Sequence, residues 1–174
     1  MTYLTKRISL LAVLVFAFPG CQGELRPDGM PKLHPCTITI TQEGKPLEMA
    51  LVSLVAEDED LSQWATGGFT DQDGKCVPHV RGKFRGVPAG KFKVMVSKTE
   101  TEESKMGNAP PEELSASEKE KWWDRRYAEK IKSFQRVAEK YMMPATTDLE
   151  IEVLPKTNVF TFDVGAPTNI VVPD

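Results

Sequence analysis

Apolar and polar side chains alternate with a period of two over most of this chain. Cys36, Ile38 and Ile40 point one way while Thr37, Thr39 and Thr41 point the other, the pattern of a strand buried on one face. Ala50, Val52 and Leu54 continue an inward face after a turn at Glu43-Gly44-Lys45-Pro46. Asp71-Gln72-Asp73-Gly74 is a second turn, joining a strand over 65–70 to one over 75–80. Pro88-Ala89-Gly90 is a third, leading into inward Phe92, Val94 and Val96 against outward Lys91, Lys93 and Ser97. Leu149, Ile151 and Val153, then Phe160, Phe162 and Val164, repeat the alternation. About seven short strands separated by turn signals predict a mainly β protein, an antiparallel sandwich.

One segment carries a different period. Over 115–141, Trp123, Tyr127, Ile131, Phe134, Ala138 and Tyr141 recur at intervals of three and four, which predicts one inserted amphipathic helix. Ser115 with Glu118, and Ser117 with Glu120, each offer a capping box, and Pro144 ends the segment. Such a helix either covers a face or open edge of the sandwich, or leaves Trp122, Trp123 and Tyr127 exposed as a contact surface. Residues 99–114, rich in Glu, Ser and Pro, read as a loop before it.

The amino terminus belongs to neither pattern. Lys6 and Arg7 precede an apolar run from Ile8 to Phe18 that is well short of the roughly 20 residues a membrane span needs. A positive start with a short apolar middle reads as a secretory signal. Phe18-Pro19-Gly20-Cys21 then resembles the lipobox of bacterial lipoproteins. That resemblance implies a signal peptide over 1–20, lipidation of Cys21 and membrane attachment through its acyl chains. The expected location is the cell envelope, on the extracytoplasmic face of a bacterial membrane; the alternative is a secreted protein with Cys21 free or bridged. Removing 1–20 takes away two cations and no acid, making the chain more acidic than its formal net charge of −3. Nucleic acid is therefore not an expected partner, since it rewards a basic patch. Residues 21–35, with three prolines and two glycines, read as a flexible tether reaching at most about 50 Å. The sandwich follows over 36–164 and a carboxyl-terminal tail over 165–174.

Within 36–164, "HPCTITITQEGKPLEMALVSL", "TGGFTDQDGKCVP" and "GVPAGKFKVMVSK" resemble the carboxypeptidase-regulatory-like, or transthyretin-like, domain found in small bacterial lipoproteins. The resemblance implies a seven-stranded Ig-like (prealbumin-like) sandwich. Its recurring residues are turn and core positions, so it implies an accessory or binding module rather than a chemistry. Where such domains carry apolar residues this chain has Cys36 and Cys76. In an oxidising compartment we expect a Cys36–Cys76 disulfide, worth about 4 kcal/mol in the chain-entropy model; two separate small core residues are the alternative.

Candidate chemistry is sparse. An EF-hand loop counted from Asp71 would need ligands where Lys75 and Gly82 stand, so the turn reading is preferred to calcium. His34 and His79 are the two histidines, and no zinc set or nucleophile motif accompanies them, so neither a metal, a cofactor nor a catalytic residue is expected. Two alternatives stay open. An unrecognised hydrolase would use a pocket near His79, Arg81 and Arg85. A carbohydrate-binding module would use Trp64, Trp122 and Trp123, and the expected partner is accordingly a protein or a cell-envelope glycan.

Overall fold

The computed structural model describes residues 26–103, 107, 109–129 and 131–172. Residues 26–30 form a turn closed by the Met30 amide on the Pro27 carbonyl at 3.2 Å, and the main body runs from Pro31 onward. Its longer elements are β1 (Cys36–Gln42), β2 (Leu51–Ala56), α1 (Glu59–Ser62), β3 (Thr66–Phe69), β4 (Gly90–Ser97) and β5 (Thr99–Thr101), followed by α2 (Ala116–Ala128), β6 (Ser133–Gln135), β7 (Glu150–Val153), β8 (Asn158–Asp163) and β9 (Ile170–Val172).

Two sheets make the sandwich. The first is antiparallel, in the order β7-β4-β2-β3, extended by the short strands His79–Val80 and Phe84–Arg85. The second has β8 beside β1, with Lys45–Pro46 and Lys75–Cys76 both pairing with the other side of β1. The alternation read from the sequence is what buries them. Cys36, Ile38 and Ile40 of β1 join Val52 and Leu54 of β2, Phe92, Val94 and Val96 of β4, and Ile151 and Val153 of β7 in one core. Each such large apolar side chain contributes roughly 1.5–3 kcal/mol by leaving water.

The strand expected over 75–80 is two strands. Lys75–Cys76 stays with β1, and His79–Val80 crosses to the first sheet. Pro78 sits between them, without an N–H for a ladder, and its carbonyl accepts the Gly86 amide at 2.9 Å. A second crossing occurs between β7 and β8. Asn158 holds it: its Nδ2 donates to the Leu154 and Lys156 carbonyls, and its Oδ1 accepts the Leu154 amide. The crossing leaves β8 parallel to β1, the exception to an otherwise antiparallel fold.

The helical insertion is shorter than its periodicity suggests. The Ser115 amide donates to the Glu118 carboxylate as the capping box requires, but α2 stops at Ala128. Beyond it, Ser133–Gln135 pairs with β5 on one side and β9 on the other, and Glu139–Tyr141 is a 3₁₀ turn. Two ladders of strand hydrogen bonds replace the helical ones, and Val137 and Tyr141 enter the sandwich core. The tail expected over 165–174 therefore includes an edge strand, β9. At the other end Leu33–His34 pairs with Val87–Pro88, so ordered pairing begins within the expected tether.

The expected Cys36–Cys76 disulfide is not formed; both cysteines are buried free thiols. Register explains it. Ile38 lies opposite Cys76, which makes Cys36 a diagonal neighbour. Diagonal pairs are about 7–8 Å apart, too far for the roughly 3.8 Å that bridged Cβ atoms need. Across the sandwich, Gly68 accommodates the Cys76 sulfur, which would be 3.1 Å from a Cβ placed there.

Two predictions follow from these contacts. A Cβ at Gly74 (φ +72°) would meet the Ile40 carbonyl oxygen at 2.4 Å, whereas one at Gly165 (φ +72°) would meet nothing within 4 Å. Gly74→Ala is expected to lower unfolding free energy by about 2 kcal/mol or more in urea titrations, and Gly165→Ala by about half that. Burial pushes the Cys36 thiol up to about 11 and the Cys76 thiol up to about 12. An unfolded thiol ionises near pH 8.5. Between that pH and the folded values, the unfolded chain has released protons that the folded chain keeps, so stability falls as pH rises. The urea midpoint is expected to drop between pH 8 and about 11, and to drop less in the Cys36→Ala/Cys76→Ala double variant.

Candidate functional site

The sheet face turned away from the core carries a concavity with apolar walls. Inward Val52, Leu54 and Val94 leave Leu51, Ser53 and Val55 of β2 and Lys93, Met95 and Ser97 of β4 pointing outward. Register sets these residues in transverse rows. Ser97, Leu51 and Phe69 form one, and Met95, Ser53, Gly67, His79 and Arg85 form the next. Gly67 leaves a gap in the second row between Ser53 and His79, which stand two strand spacings, about 10 Å, apart.

The result is a groove of about 670 Å³ whose lining includes Leu51, Ser53, Phe69, His79 and Arg81. The gap is sterically enforced, since a Cβ at Gly67 would lie 2.5 Å from the Val52 carbonyl oxygen. Leu51 and Phe69 are direct cross-strand partners, yet Leu51 is 37% exposed and Phe69 61% exposed. Nothing in the core needs them.

The other wall carries one cation, Arg81. Arg81 and Gly82 are the central residues of the Val80–Lys83 turn, with φ +51° and +67°, the signature of a type I′ hairpin turn. Glycine and asparagine accept that conformation readily; an arginine there is strained by about 1 kcal/mol. Its guanidinium lies over the Trp64 ring at 4.6 Å from the centroid, a cation–π contact that offsets part of the strain. Among the described residues no carboxylate pairs with Arg81 or Arg85. Lys93, on the same face, is different: its hydrogen bond to Glu150 raises its pKa.

The structure regroups the residues singled out from the sequence. His79 and Arg81 line this groove, with Arg85 beside His79, whereas Trp64, expected as an exposed contact, is buried at 6% exposure beneath the Arg81 guanidinium. Trp122, Trp123 and Tyr127 lie apart from it on α2, so the three tryptophans do not form one platform. Trp122, outside the expected apolar stripe, is the buried one at 6% exposure, while Trp123 is 36% and Tyr127 81% exposed. Trp122 meets Trp123 edge-on at 4.9 Å, and Trp123 stacks on Tyr127 at 5.8 Å, occupying one face of each ring. Cys21 lies outside the described residues. His34, expected in the tether, is buried. Among the described residues no group of three or more His, Cys, Asp or Glu is placed to hold a metal ion, and no helix is long and apolar enough to cross a membrane.

Leu51, Ser53, Gly67 and Phe69 were missed as site residues. A signal was present for the β2 pair alone: "LVSLVA" is largely apolar on both phases of a strand, where a half-buried strand needs only one. No family model matches the chain, and neither a curated protein nor a solved structure matches it.

If the outward pair serves contact rather than the core, polar replacement is tolerated. Leu51→Ser and Phe69→Ser are expected to change unfolding free energy by no more than about 0.5 kcal/mol, against about 2–5 kcal/mol for inward Leu54→Ala. Chemical denaturation of the three variants measures the contrast.

Proposed function

We propose that this protein is a non-enzymatic lipoprotein of the bacterial cell envelope, held by lipid on Cys21, whose transthyretin-like sandwich is a binding module. The observation that carries the binding half is the exposed Leu51–Phe69 pair beside a groove that Gly67 keeps open. A contiguous outward apolar surface costs solubility and marks a contact with something else. The anchoring half rests on the sequence at 15–21, an apolar run closing on Gly20-Cys21. Two or more acyl chains there make attachment lasting, since each buried methylene contributes roughly 0.8 kcal/mol. The turn motifs shared with carboxypeptidase-regulatory-like domains agree with an accessory role, because they serve hairpins and core rather than chemistry.

Two measurements test the two halves separately. Metabolic labelling with a tritiated fatty acid is expected to mark the native protein and not Cys21→Ser, which leaves the membrane fraction; label retained in that variant would overturn the anchor. A photo-crosslinking residue placed at Phe69 is expected to trap a discrete adduct in intact cells, whereas one at Thr39, on the outward face of β1, is not. Equal adducts at the two positions, or none at Phe69, would overturn the binding surface.

A further inference from the structure

We infer that the groove takes an extended, acidic segment of a partner protein, with an apolar side chain against Leu51 and Phe69 and a carboxylate against Arg81 and Arg85. This rests on reading the groove as the module's binding surface, and it adds what that surface selects.

Charge complementarity is the first argument. Arg81 lines the groove and Arg85 continues the Ser53–Gly67–His79 row, and neither has a carboxylate partner among the described residues. The protein carries more acids than bases overall, with 25 Asp and Glu against 22 Lys and Arg. One arginine on the groove wall and a second beside it, neither paired with a carboxylate, are thus a local departure from the chain's own charge balance. Arginine also matches a carboxylate's two oxygens with parallel N–H donors.

Strain is the second argument. The turn at Arg81-Gly82 would be more comfortable with asparagine at its first position, and strained residues retained at a concave surface point to use rather than to stability. The left-handed backbone and the Trp64 ring together hold the guanidinium at the groove wall. A pre-positioned cation loses less freedom when a carboxylate arrives.

Shape is the third. The groove is far larger than one side chain and lies across strands rather than sinking between the sheets. Its row ends at Phe84–Arg85, the terminal strand of the sheet among the described residues. An extended peptide of a few residues, at about 3.3 Å each, can lie along such a row.

The test uses the full chain as bait for a random linear peptide library displayed on phage, with the selected peptides then measured in solution by fluorescence anisotropy. Selected peptides are expected to place Asp or Glu near an aromatic or branched aliphatic residue, and to bind more weakly as salt rises. Affinity is expected to fall about tenfold or more in Arg81→Asn and in Phe69→Ser, and to be unchanged in Lys75→Gln, which removes a cation on the other sheet. Arg81→Asn is expected to keep the native thermal midpoint, because Asn-Gly suits the turn. Should it not fold, Arg85→Gln provides the same comparison from the neighbouring strand.

No enrichment over an uncoated support, selected peptides without acids, or affinity unchanged in Arg81→Asn would each overturn the proposal. Peptides indifferent to both groove variants would overturn it while leaving a membrane-held binding module standing.

Discussion

The packing of β1 against β2 and β4 is the contact on which the rest of this molecule depends. Ile38 and Ile40 of β1 and Val52, Val94 and Val96 opposite them are fully buried, and they can be so only if the two sheets lie face to face. That requirement forces the chain to change sheets, and at each crossing backbone polar groups leave their ladder. Pro78 and Asn158 stand at two such points, one by lacking a donor and the other by supplying side-chain partners. Gly74 does related work within a turn, where its left-handed backbone touches Ile40 and Leu47 too closely for any side chain.

Once the inward faces are committed to each other, the outward faces are free to serve something else. The second sheet presents mostly threonines there, Thr37, Thr39 and Thr41 on β1, with exposed Val159 of β8 beside Thr37. The first sheet presents Leu51, Val55 and Phe69 around a glycine gap, with arginines at the margin. The same folding constraint thus yields two outer surfaces of different character, and the apolar one coincides with the strained Arg81 turn. That coincidence favours the sheet face as the candidate site over α2, where Trp123 and Tyr127 stack on each other.

Much of the fold was legible because a period of two is a local property. Each alternating segment names its own inward residues, and nearly all of those chosen from the sequence lie in the core. The insertion was misjudged because a spacing of three and four continued past Ala128 into residues whose hydrogen bonds come from β5 and β9. Nothing local marks that a strand more than thirty residues earlier will compete for Ser133–Gln135. The disulfide was misjudged for a similar reason. Inward phase places Cys36 and Cys76 on one face, but bridging depends on register, and the pairing of Ile38 with Cys76 sets them diagonally.

The site shows the same division. By itself the sequence determined that the protein is mainly β, where its turns fall, and which side chains face inward. Those are properties of neighbouring residues, carried by alternation, glycine and proline. Only the tertiary structure decided that His79 and Arg81 belong with Leu51 and Phe69, while Trp64 and Trp122 are buried and Trp123 lies on α2. Sheet order and register set those proximities, and both arise when distant strands bury a common core.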